Sequence, residues 1–80
     1  MIRAEFDAAA AEIAEVTAGE WRAVPLTVVA GKVAVIGLYF KGQEIIQAAS
    51  LGKSREWMMQ VATTIYKACL SYEIAQMVAA

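Results

Sequence analysis

The last third of the chain carries more apolar surface than a helix packed on one side can bury. Residues 54–77 read SREWMMQVATTIYKACLSYEIAQM. At a helical period of about 100° per residue, their apolar side chains cover an arc of roughly 220°, whereas a helix that packs on one face needs little more than 100°. A short chain has few other elements with which to cover so wide an arc. We therefore predict that part of this helix contacts a second protein chain.

This predicted helix has two apolar edges with different expected roles. One edge is expected to meet a sheet, and it contains Trp57, Val61, Ile65, Ala68 and Tyr72. The other edge contains Met59, Tyr66, Leu70 and Met77. Flexible methionines beside a tyrosine and a leucine are typical of protein-binding surfaces, so these four are the candidate partner-binding residues. The alternative is that the first helix of the chain covers the second edge.

Length and composition indicate one small domain that is marginally stable without an additional stabilising feature. The chain has 80 residues, one cysteine and no histidine. A domain of this size buries only about 60–65% of its unfolded surface, and small domains often add a disulfide, a metal or a second subunit. Because Cys69 is alone, an intrachain disulfide is excluded, and zinc lacks its usual ligands. We therefore expect a homodimer or a complex with another protein, without metal or cofactor.

Charge and residue types argue against the commonest functional classes. The net charge is −1 and no basic patch stands out, so the sequence does not favour nucleic-acid binding. The hydroxyl side chains lie in no catalytic motif, and histidine, the usual general base, is missing. We expect a protein without enzymatic activity. The single cysteine fits a reducing cytoplasm.

Hydrophobic periodicity predicts an α+β fold with the order α-β-β-β-α. Residues 2–18 form an amphipathic helix pattern whose apolar face contains Ile2, Phe6, Ala9, Ile13 and Val16. Runs 25–30 and 33–40 read as a tight hairpin broken at Gly31-Lys32, and the second run suits a central strand because it is apolar on both faces. Residues 44–49 are a strand or a short helix, with strand favoured. The whole chain, residues 1–80, then forms a small three-stranded antiparallel sheet with two helices packed on one face.

One segment leaves a membrane alternative open. Residues 23–40 form an apolar run at the short end of what spans a bilayer. Lys32 lies near its centre, where a lysine costs on the order of 2.5–3.5 kcal/mol. A small membrane hairpin protein is therefore the alternative to the soluble hairpin.

The start of the last helix carries a candidate anion-binding group. Lys53, Ser54 and Arg55 precede or open the helix, where free backbone N–H groups attract anions. The alternative is an ordinary capped helix start.

The order of elements, together with Gly52, Ser54 and Arg55, resembles the double-stranded RNA-binding domain family. That family opens its last helix with a glycine, a serine and a lysine-rich run that grips phosphates, so the resemblance implies a nucleic-acid module. Glu56 and Met59 stand where further lysines belong, and neither side chain neutralises phosphate. The implied module is therefore a degenerate one.

These observations favour a non-enzymatic protein–protein interaction module in the cytoplasm. Compact, slightly acidic proteins without motifs are common among phage and mobile-element inhibitors of host complexes, anti-CRISPR proteins included. The comparison with such inhibitors is an analogy of size and class. The degenerate RNA-binding module and the membrane hairpin are the two alternatives.

Overall fold

The computed structural model describes residues 1–79 and contains two helices and three strands. They are α1 (Arg3–Val16), β1 (Trp21–Val29), β2 (Lys32–Phe40), β3 (Gln43–Ala49) and α2 (Arg55–Ala79). The strands form one antiparallel sheet in the order β1-β2-β3, and both helices pack on one face of it around a shared core. The predicted α-β-β-β-α fold is confirmed, including a strand rather than a helix over residues 44–49.

Two tight turns connect the strands. Ala30–Gly31 joins β1 to β2, and Lys41–Gly42 joins β2 to β3. Both residues of each turn have positive φ, at 50° and 75° in the first turn and 51° and 82° in the second. This is the type I′ geometry, whose twist matches that of antiparallel strands, and glycine adopts the second position without strain. The first turn begins one residue earlier than the predicted break at Gly31-Lys32.

The sheet contains three irregularities that redirect side chains. Strand pairing skips Leu26 on β1, Ala34 on β2 and Ile45 on β3. A bulge shifts the alternation of side chains between the two faces of a strand. As a result Val33 and Ile36 are both buried in the core despite their odd spacing, and Ile45 lies on the helix side of β3.

The hydrophobic core lies between β2 and the two helices. The sheet contributes Trp21, Val33, Ile36, Leu38 and Phe40, the helices contribute Phe6, Ala9, Ile13, Met58 and Ala62, and Met1 completes the cluster. Four of these residues belong to β2, which lies between β1 and β3, so its predicted central position is confirmed. The predicted face of α1 is wrong at its two ends. Ile2 precedes the helix and Val16 is its last residue, and both side chains are exposed.

The helix α2 is rotated relative to the orientation expected from its sequence. The edge from Trp57 to Tyr72 was expected to meet the sheet, but Ala68 and Tyr72 are exposed. The buried residues of α2 are Met58 and Ala62. The reason is that α2 packs against both α1 and β2, so its inward face is centred between its two apolar edges.

Residue Met1 ties the start of the chain to the sheet. Its amino group donates hydrogen bonds to the carbonyl oxygens of Val33 at 3.1 Å and Ser50 at 3.0 Å. The Val33 N–H donates to the Met1 carbonyl oxygen at 2.6 Å, and the buried Ser50 hydroxyl donates to the Val33 carbonyl oxygen at 2.9 Å. These bonds join the entry to α1, the start of β2 and the end of β3.

The segment considered as a membrane hairpin forms part of the sheet. Residues 23–40 belong mostly to β1 and β2, which pair with each other against the two helices. In the part of the chain that the structure describes, neither helix combines the length and apolar character needed to cross a bilayer.

Candidate protein-binding site

Three of the four predicted partner-binding residues line one groove. Met59, Tyr66 and Leu70 project from α2 toward the end of α1, where Ile13 and Val16 form the opposite wall. The groove has a volume of about 310 Å³. The first helix therefore covers this edge of α2 only in part, since the three α2 side chains remain half-buried and Val16 is exposed.

Met77 is separated from the other three predicted residues. It lies on the same side of α2 as Leu70, seven residues further along the helix, and its side chain is 77% exposed. Met77 is not among the residues that line the groove. The groove is therefore formed without Met77.

An aromatic cluster supports the floor of the groove. The Tyr66 ring centroid lies 5.9 Å from that of Trp21 and 5.9 Å from that of Phe40, and the Trp21 and Phe40 centroids are 6.2 Å apart. Tyr66 therefore belongs both to the core and to the groove wall. Aromatic pairs at such separations contribute about 0.5–1.5 kcal/mol beyond the area that they bury.

Trp21 was not predicted as a site or core residue. It is fully buried at the start of β1 and also lines the groove between the helices. Its Nε1–H has no hydrogen-bond partner among the described residues. The available signal was an aromatic residue, favoured in strands, directly after the break at Gly19-Glu20.

Ion pairs fix α2 at two points. Arg55 at its start pairs with Glu12 of α1, and Glu73 near its end pairs with Lys41 of the second turn at 2.8 Å. The hydrogen bond from Lys41 to Glu73 raises the pKa of the lysine. Burial, with a smaller contribution from Glu73, raises the pKa of the Cys69 thiol. A raised thiol pKa lowers the thiolate fraction, so the arrangement does not activate Cys69 as a nucleophile.

The predicted anion-binding residues have structural roles. The Ser54 Oγ accepts a hydrogen bond from the Trp57 N–H at 3.2 Å, which caps α2. Arg55 is paired with Glu12, and the Lys53 Nζ lies 5.8 Å from the centroid of the Trp57 ring. The alternative of a capped helix start accounts for these contacts, and anion binding stays a prediction.

No protein-family model, curated protein or solved structure matches this chain. Within residues 1–79, no three histidine, cysteine, aspartate or glutamate side chains come together as a metal site would require. The geometry of the groove is therefore the feature of this chain that bears on its function.

Duplex RNA is expected to bind weakly. Arg55 is engaged by Glu12, and Glu56 and Met59 occupy positions where the resembled family has lysines. At physiological salt the dissociation constant should be no better than about 10⁻⁴ M, the weak end of non-specific binding. A gel-shift titration with a duplex of about 16 base pairs, the span of such a domain, measures this. A complex that forms at micromolar protein and persists in moderate salt would restore the RNA-binding interpretation.

Proposed function

We propose that this chain is a non-enzymatic protein-binding module that takes apolar side chains of a partner protein into the groove between α1 and α2. The supporting observation is the convergence of Met59, Tyr66 and Leu70 with Ile13 and Val16 around one apolar depression. Well-packed depressions that receive an anchoring side chain supply most of the energy of many protein interfaces. Trp21 and Tyr66 of the aromatic cluster line this groove and contact each other.

The surface carboxylates support a binding role rather than acid–base catalysis. Glu12 and Glu73 are in ion pairs, Asp7 pairs with Arg3, and Glu44 accepts hydrogen bonds from Tyr39 and Gln47. Paired, solvated carboxylates of this kind differ from the desolvated pairs that catalysis uses. A finer proposal is that a phage or mobile element encodes this chain as an inhibitor of a host complex, which rests on an analogy of size and class. Its location in the cytoplasm is proposed from the single cysteine.

The Leu70→Glu variant tests the groove. Leu70 is half-buried, so a glutamate carboxylate can reach water in the free protein, and we expect a loss of about 1–2 kcal/mol in folding stability. In a complex the same carboxylate is desolvated, and we expect at least about a 30-fold loss of affinity. The measurement compares proteins captured from a bacterial lysate by immobilised wild type and variant, followed by calorimetric titration of the identified partner.

Gln60→Glu is the matched control for this experiment. Gln60 is exposed on the same helix but lies outside the groove. The control should capture the same partner as the wild type. Equal capture by all three proteins would contradict the proposal. If Leu70→Glu does not fold, Leu70→Ala supplies the comparison, because it removes the wall of the groove without adding a charge.

A further inference from the structure

We infer that the partner segment received by the groove between α1 and α2 carries a carboxylate beside its apolar side chain, and that Lys67 binds this carboxylate. The inference rests on the proposed function and adds to it the chemistry of the partner. The occupant is a short acidic and apolar segment of another protein. Its apolar side chain enters the groove, and an aspartate or glutamate next to it lies at the rim.

Lys67 determines the charge of the groove. Among the described residues that line it, Lys67 is the one with a charged side chain, and the other nine are apolar, aromatic or hydroxyl residues. The Thr17 hydroxyl is already bonded within the chain. It donates to the Ile13 carbonyl oxygen at 2.7 Å and accepts from the Trp21 N–H at 3.2 Å. The Lys67 ammonium group is therefore the main polar feature that the groove offers to a partner.

The charge of Lys67 is not neutralised by the chain itself. The two helices contain three basic residues, Arg3, Arg55 and Lys67. Arg3 pairs with Asp7 and Arg55 with Glu12, whereas Lys67 takes part in no ion pair within residues 1–79. The residues three and four positions from Lys67 along α2 are threonine, leucine and serine, so no carboxylate lies one turn away.

The acidic residues of α1 do not replace a partner's carboxylate. Glu12 is held by Arg55, and Glu15 is not among the residues that line the groove. A free positive charge beside an apolar depression favours a segment of opposite charge and disfavours a basic one. The groove is therefore complementary in charge to an acidic segment.

The volume of the groove limits the occupant to one or two side chains. About 310 Å³ is at the lower end of the roughly 300–1,000 Å³ of ligand pockets. Lys67 is one helical turn from Thr63 and Leu70, so its Cβ atom lies about 5–6 Å from theirs. A carboxylate two residues from the apolar side chain in an extended segment, or four residues from it in a helix, spans a similar distance. The recognised sequence therefore fits within about five residues.

Lys67 acts at short range. The net charge of the chain is −1, so its overall field does not attract an acidic partner from a distance. At contact, a bound segment excludes water from the apolar walls, and an ion pair is stronger there than in bulk water. The contribution of Lys67 is therefore to the choice of partner rather than to the rate of association.

A displayed library of short random peptides tests the chemistry of the occupant. Peptides that also bind Leu70→Glu are removed, since they bind outside the groove. Selection on the wild type should then enrich aspartate or glutamate within about four residues of leucine, methionine or phenylalanine. Selection on Lys67→Glu should enrich lysine or arginine at the same place, because the charge of the rim is reversed.

Calorimetric titration of one selected acidic peptide measures the effect of Lys67. The Lys67→Glu variant should bind it roughly tenfold more weakly, because an attraction at the rim becomes a repulsion. Lys53→Glu is the matched control. It changes the net charge by the same amount at an exposed lysine that does not line the groove, and it should bind as the wild type does. Circular dichroism verifies that both variants fold.

Each other outcome contradicts a stated part of the inference. Selected peptides with no preference for acidic residues, or the same peptides from wild type and Lys67→Glu, would overturn it and leave the proposed function intact. An equal loss of affinity in Lys67→Glu and Lys53→Glu would also overturn it, since net charge would then be the cause. Self-association that Leu70→Glu abolishes would show that a second copy fills the groove instead. No enrichment on the wild type over Leu70→Glu would contradict both the inference and the proposed function.

Discussion

The Ala9→Glu variant is expected to be unfolded at room temperature. Ala9 is 0% exposed on the inner face of α1. A glutamate there adds volume to a filled core and buries a carboxylate, which costs several kcal/mol even after the structure relaxes. A domain of 80 residues has a total stability of only about 4–12 kcal/mol. Far-UV circular dichroism with thermal melting measures the effect.

Ala8→Glu is the matched control, because Ala8 is the adjacent alanine on the exposed side of the same helix. It should change the free energy of unfolding by no more than about 0.5–1 kcal/mol, including repulsion from Glu5 and Glu12 one turn away. Similar melting curves for the two variants would show that α1 does not pack on the sheet as described.

The Trp21→Ala variant is expected to lose about 3–5 kcal/mol of folding stability. Trp21 is 1% exposed and contacts the rings of Phe40 and Tyr66, so its removal leaves a cavity that those rings cannot close. Urea denaturation followed by circular dichroism gives the free energy. Trp57→Ala is the control, and it should cost clearly less because Trp57 is only half-buried at the start of α2.

Trp21→Phe separates the two contributions of the indole ring. Phenylalanine keeps an aromatic ring in the cluster and removes the Nε1–H, whose lack of a partner costs about 1–3 kcal/mol. We expect a loss of less than half of that in Trp21→Ala. An equal loss of folding stability in Trp21→Phe and Trp21→Ala would mean that the unpartnered indole N–H does not destabilise the folded state.

The order of elements and the central strand were predictable because they depend on local patterns. Residues 33–40 are apolar on both faces of a strand, which predicts a central strand that is covered on both faces or has one face packed on a partner. The sheet order confirms the central position, and the helices cover one face. Glycines at positions 31 and 42 mark the two turns, whose positive φ angles they tolerate. These signals act within a few residues, so one sequence suffices to detect them.

The orientation of α2 was not predictable, because it depends on what the other elements leave uncovered. Its apolar arc is so wide that several rotations bury a similar area, and only contact with both α1 and β2 selects Met58 and Ala62 as the inward residues. The bulges at Leu26, Ala34 and Ile45 likewise arise from the pairing of strands and leave no mark in the hydrophobic period.

Only the part of the groove that lies on a single helix could be predicted from the sequence. Met59, Tyr66 and Leu70 share one side of a single helix, so their proximity follows from helical spacing. Trp21 and Val16 reach the groove only through the tertiary packing of other elements. Met77 has the right spacing but does not line the groove, and its side chain is 77% exposed.

The bonds of Met1 have a consequence for the order in which the chain folds. Each strand pairs with the next one along the sequence through a two-residue turn, so both hairpins can form early at a small cost in loop-closure entropy. The amino group of Met1 bonds to carbonyls 32 and 49 residues away. Those carbonyls lie side by side only after β2 and β3 have paired. We therefore expect the bonds of Met1 to form late in folding, after the sheet has formed.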